Sequence, residues 1–158
     1  MDPIIDFYKS IYTPRIWQLY SNEGIKKALP SSKSILCKLN QYLNEHPEFY
    51  NKLRTNLWRI HPNPISILTD KLPIDLWYLI DGFIHETPYH LFIQKCKEYY
   101  ISDLLSQIEE EICIQEKNIR KKDRYINLHC YYYDVHRVKQ CKSMQRFINK
   151  YKDSYLKN

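Results

Sequence analysis

Glycine is scarce: two in 158 residues. That excludes a glycine-rich phosphate loop and argues against sheets built on tight hairpins. Long apolar runs are missing as well. No uncharged stretch approaches the ~20 residues of a membrane span, so no transmembrane helix is expected. The first residues, MDPIIDFYKS, carry acids where a secretory leader carries bases, and secretion is not expected either. Five cysteines (Cys37, Cys96, Cys113, Cys130 and Cys141) are an odd number, with no C-x2-C pair among them. Reduced thiols, in the cytoplasm or nucleus, are the expectation.

What is present suffices for a core. Apolar residues make up 44% and charged residues 27%, in a length that fits one domain, or one domain with a terminal arm. The skew towards Ile, Lys, Asn and Tyr, with fifteen tyrosines, is that of AT-rich coding, as in large DNA viruses and some protists. Charge is segregated. Residues 1–116 hold twelve Lys/Arg and fifteen acids, net −3, whereas residues 117–158 hold twelve Lys/Arg and three acids, net +9. The expected organisation is a mildly acidic helical body, 1–116, with a basic C-terminal segment, 117–158, on it. Positive charge gathered in this way steers polyanions: nucleic acid, anionic lipid or an acidic partner.

The apolar spacing is mostly helical. Asp2 is placed to cap, and Pro3 to begin, a helix with Ile4, Ile5, Tyr8, Ile11 and Tyr12. Pro14 should end or kink it, with Ile16, Trp17 and Tyr20 continuing an apolar face. Asn22–Gly24 and Pro30–Ser32 are turn signals. Ser32 or Ser34 is expected to cap a helix carrying Ile35, Leu36, Leu39, Tyr42 and Leu43. Pro47 and Glu48 open another with Phe49, Tyr50, Leu53, Leu57 and Trp58. His61–Pro64 reads as a loop, and Pro73 starts a helix with Leu76, Trp77, Ile80, Phe83 and Ile84. Thr87–Pro88 opens one with Leu91, Phe92, Cys96 and Tyr99, restarting at Ser102 or Asp103 with Leu104, Leu105, Ile108, Ile112 and Ile119. Residues 124–135, rich in aromatics, could be a minor hairpin. Met144, Phe147, Ile148, Tyr151 and Tyr155 close the chain at helical spacing. The expected fold class is mostly α, a compact domain of six or seven helices.

Within residues 72–100, LPIDLWYLIDGFIHETPYHLFIQKCKEYY, a pattern stands out: Leu72-Pro73, Asp75, Leu76-Trp77, Ile80, Phe83-Ile84, Leu91 and a Cys96-Lys97-x-Tyr99 close. It resembles an F-box. The resemblance implies a three-helix module docking on an SKP1-type adaptor of a cullin ubiquitin ligase, with Leu72, Pro73, Leu76, Trp77 and Ile80 facing the adaptor. Gln94–Lys95 stand where the family prefers an apolar residue. An ordinary amphipathic core helix with proline in its first turn explains the same residues.

Three further constellations bear on chemistry. Cys113, His129, Cys130, His136 and Cys141 include zinc-ligand types, but at loose spacing that buried thiols and surface histidines explain equally well. No metal and no cofactor is expected. Basic and aromatic residues interleave after Lys117: Arg120, Lys121, Lys122 and Arg124 precede Tyr125 and Tyr131–Tyr133, and Arg137, Lys139, Lys142 and Arg146 follow. Cations for phosphates and rings for bases suit RNA or single strands; a solvated basic face is the plainer alternative. His85-Glu86 and His90 form H-E-x3-H, which does not put both imidazoles on one helical face, and Pro88 lies between them. No nucleophile motif exists and an enzyme is not expected.

The leading expectation is thus a non-catalytic interaction module, an F-box-like adaptor. The alternative is a nucleic-acid-binding accessory protein using the basic, tyrosine-rich segment; a viral structural or assembly component is a third. No membrane partner and no small-molecule substrate are indicated.

Overall fold

A computed structural model describes residues 2–60, 88–121 and 128–158, with the backbone alone for 54–60, 88–89 and 128–129. The described residues form α1 (Pro3–Ile11), a 3-10 turn (Ile16–Gln18), α2 (Asn22–Ala28), α3 (Ser32–Glu45), α4 (Pro47–Ile60), α5 (Pro88–Arg120) and α6 (Leu128–Lys157). The fold is mostly α. The count of six or seven helices concerns the whole chain, part of which lies outside the described residues. Among the described residues there is no strand. The hairpin expected near 124–135 is corrected from residue 128 onward, where the chain is already in α6. Aromatic enrichment favours strands only where a sheet receives the rings; here Val138, Cys141 and Met144 continue a helical stripe instead.

Local chemistry sets the helix starts. The Asp2 carboxylate accepts from the Ile4 N–H at 2.9 Å, and Pro3 occupies the first helical position of α1. The cap of α3 is Ser31, one residue before the expected pair, its hydroxyl accepting from the Ser34 N–H at 3.1 Å. Pro47 begins α4 and Pro88 begins α5, both as expected. No restart occurs at Ser102 or Asp103, since α5 runs unbroken for 33 residues.

The chain divides into two compact units, Met1–Ile11 with Ser31–Cys96, and Tyr12–Pro30 with Lys97–Asn158. This division differs from the one drawn by charge, whose boundary at 116/117 falls inside α5. In the first unit α1, α3 and α4 pack together around Phe7, whose ring centroid lies 5.0 Å from Phe92 and 5.2 Å from Tyr42. Ile4, Ile35, Leu39, Phe49 and Leu53 complete that core.

In the second unit α5 and α6 run antiparallel. Lys97 reaches Tyr155, Glu109 reaches Gln145, Glu111 reaches Arg137 and Glu116 reaches Lys142. Ile101, Leu104, Ile108 and Ile112 of α5, with Cys141, Met144, Ile148 and Tyr155 of α6, are buried. Their 3- and 4-residue spacing is the apolar stripe that a helix needs to bury one side. α2 packs on α6, with Ile25 fully buried.

Candidate nucleic-acid interface

The two sides of α6 are distinct. Arg137, Cys141, Met144, Ile148 and Tyr155 recur at intervals of four, three, four and seven and are buried. Tyr132, His136, Lys139, Ser143, Arg146 and Lys150 recur at four, three, four, three and four, and all are exposed. At ~1.5 Å per residue the cations from Lys139 to Lys150 span about 16 Å of a single helix face. Tyr132, 65% exposed, stands at the head of the row.

Lys142, exposed, flanks the row and pairs at 3.1 Å with Glu116, which is partly exposed. A pair in solvent contributes little and yields readily to a better anion. Among the described residues no ion pair involves Lys139, Arg146 or Lys150. Gln145, at the edge of the stripe, donates to Glu109 at 2.9 Å and so orients α6 against α5. Arg120 and Lys121 are exposed at the C-terminal end of α5. Lys122 and Arg124 lie outside the described residues.

Among the described basic residues of the segment, Arg137 is the buried one. It is 4% exposed, and its guanidinium donates to the Leu19 carbonyl at 2.8 Å and the Ile16 carbonyl at 3.0 Å. Glu111 pairs with it at 3.7 Å, and the Tyr20 ring lies 5.3 Å from its Cζ. A guanidinium so engaged is withdrawn from external phosphates. Its role is to hold the Tyr12–Pro30 segment to α6. Lys97, buried to 2%, is comparable: its ammonium donates to the Tyr155 carbonyl at 3.2 Å and sits 4.8 Å over the Tyr155 ring. Burial pushes its pKa down.

The adaptor-facing set expected from the F-box resemblance, Leu72, Pro73, Leu76, Trp77 and Ile80, lies outside the described residues, as does His85. Of the closing elements on α5, Cys96 and Lys97 are buried and Leu91 and Tyr99 half-buried. Cys113, Cys130 and His136 are exposed, Cys141 is buried, and the His129 side chain is outside the described set. No group of three or more His, Cys, Asp or Glu able to hold a metal occurs among the described residues. Burial pushes the Cys96 thiol up to about 12, with the Asp2 carboxylate adding to it. Cys141 is also raised, by burial first, with Arg137 opposing and Glu111 adding. Neither is an activated nucleophile, because the thiolate is the disfavoured form. No described helix is long and apolar enough to cross a membrane.

Trp17 and Tyr20, expected on an apolar face, are 58% and 59% exposed. The reason is local. Pro14 follows the end of α1, and the chain makes a 3-10 turn instead of another helix, so that Ile16 and Leu19 point inward and their neighbours outward. No family model, curated protein or solved structure matches this chain.

Proposed function

We propose that this protein is a non-catalytic nucleic-acid-binding protein that tracks a phosphate backbone with the exposed face of α6. One observation carries the proposal: Lys139, Arg146 and Lys150, with Lys142 beside them, form a single solvent-facing row on a helix whose other side is core. A row of cations about 16 Å long matches a polyanion better than it matches a point ligand, and it needs no pocket. In the test, the full chain is titrated against a fluorescent 20-nucleotide strand at about 50 mM salt. Lys139→Glu with Arg146→Glu is expected to weaken binding by at least tenfold with unchanged circular dichroism, since both residues are exposed. Unchanged affinity would reduce the stripe to a solvated face.

The Leu72–Tyr99 pattern supports a second proposal, an F-box-like adaptor. Retention of an SKP1-type adaptor by the full chain, lost on Leu72→Asp with Trp77→Ala, is the expected outcome there. Failure to retain the adaptor would remove it.

A further inference from the structure

Six large apolar side chains are exposed among the described residues, and four of them are aromatic: Trp17, Tyr20, Tyr132 and Tyr133. All four belong to the second compact unit. Tyr20 and Tyr133 are related through one residue, Arg137. Tyr20 lies against the Arg137 guanidinium at 5.3 Å, and Tyr133 stands one turn before Arg137 on α6. Tyr132, the adjacent residue, heads the basic row. The antiparallel register fixed by Lys97–Tyr155 and Glu109–Gln145 brings Arg120 and Lys121 roughly level with these tyrosines of α6.

The turn that displays Trp17 and Tyr20 is clamped from both helices. Gln107 of α5 accepts from the Ile16 N–H at 3.1 Å and donates to the Pro14 carbonyl at 2.7 Å. Arg137 of α6 donates to the Ile16 and Leu19 carbonyls. Inside the turn, the Leu19 N–H donates to the Ile16 carbonyl at 2.9 Å. The backbone on either side of Trp17 is therefore held, and Ile16 and Leu19 are seated in the core at 6% and 8% exposure. Two rings are left in solvent on a backbone that has already lost its freedom. An exposed cation stands beside the first of them, the Arg15 Cζ 5.9 Å from the Trp17 ring. Rigid exposed rings bind flat π surfaces at low entropic cost, and nearby cations favour a partner that carries negative charge.

We propose that Trp17 and Tyr20 are a base-stacking platform that makes the interface selective for single-stranded over duplex nucleic acid, a proposal that rests on the phosphate-tracking stripe of α6. A duplex keeps its base faces against one another and offers these rings only its backbone. An unpaired strand offers a face at every nucleotide, whatever its sequence. The strand's phosphates meet Lys139, Arg146 and Lys150, and its bases meet the two rings. RNA and DNA single strands share this chemistry.

The test titrates the full chain against labelled oligouridylate, labelled oligodeoxythymidylate and a labelled duplex of equal length, at one salt concentration. Trp17→Ala with Tyr20→Ala is expected to weaken single-strand binding at least tenfold, since stacking is worth roughly five- to a hundredfold per base, and to change duplex binding less than twofold. Lys139→Glu with Arg146→Glu should weaken both. Trp17→Phe, which keeps a ring, should retain affinity within about threefold while losing the quenching of tryptophan fluorescence that the strand produces in the parent chain. If the double alanine variant weakens strand and duplex alike, or neither, while the stripe variant weakens both, the platform is refuted and the stripe stands. If the parent chain binds none of the three probes, the nucleic-acid function itself is refuted.

Discussion

Replacing Arg137 with alanine should cost more than replacing any of the exposed cations of α6. Its guanidinium makes two charge-assisted hydrogen bonds, at 2.8 Å to the Leu19 carbonyl and at 3.0 Å to the Ile16 carbonyl, which also accepts from the Leu19 N–H. Such bonds are worth about 1.5–3 kcal/mol each. Removing it also strands Glu111, although that side chain is 25% exposed and keeps part of its hydration, so the stranding is discounted. Together these give a loss of about 4 kcal/mol. Arg137→Lys keeps the charge but can reach only one carbonyl, and about half of that loss is expected. Urea denaturation of the full chain, followed by circular dichroism, gives the global figure. Amide exchange at Gln18 and Leu19, whose N–H groups bond to the Arg15 and Ile16 carbonyls, reports the turn itself. Both amides should lose protection in Arg137→Ala. A cost below about 1 kcal/mol with unchanged exchange at these amides would refute the clamp and, with it, the reason that Trp17 and Tyr20 are held in place.

Other consequences can be checked directly. Native alkylation near pH 8 should label Cys37, Cys113 and Cys130, which are exposed, and spare Cys96 and Cys141, which are buried with raised pKa values; denaturant should expose all five. Lys97 binds its proton less tightly folded than unfolded, so between its lowered pKa and the ordinary 10.5 the unfolded chain holds more protons and stability rises with pH. Raised Cys96, Cys141 and Tyr100 slope the other way above about pH 9. The readout is therefore the stability of the parent minus that of Lys97→Met, which should grow as pH approaches 10.5; a flat difference would contradict it. In the first unit, Phe7→Ala removes a fully buried ring and should cost about 3–5 kcal/mol in the same denaturation experiment.

Helix starts were legible at Asp2–Pro3, Pro47 and Pro88, which all begin helices; α2, capped by Ser21, was not, because Asn22–Gly24 reads as a turn. Two errors share a cause. The aromatic run at 131–133 reads as strand, and Trp17 and Tyr20 read as core, because rings are scored as apolar, while their large exposed surfaces here depend on packing elsewhere. Phe7, the centre of the first unit, drew no notice because Ile4, Ile5 and Tyr8 already satisfied the spacing. The buried cations were hidden by residue type but not by position. Lys97 stands in step with Ile101, Leu104 and Ile108, and Arg137 in step with Cys141, Met144 and Ile148, at four, three and four. A basic residue in register with the core stripe is a candidate internal clamp. One out of register, such as Lys139 or Arg146, is free to meet a ligand.

The most direct test of the nucleic-acid proposal is the salt dependence of single-strand binding by the unmodified chain. Three or four cations on phosphates, each releasing about 0.7 of a counterion, predict a log–log slope of about −2 to −3. Lys139→Glu with Arg146→Glu should bring that slope to about −1. A slope near zero, or no binding at about 50 mM salt, would contradict the account.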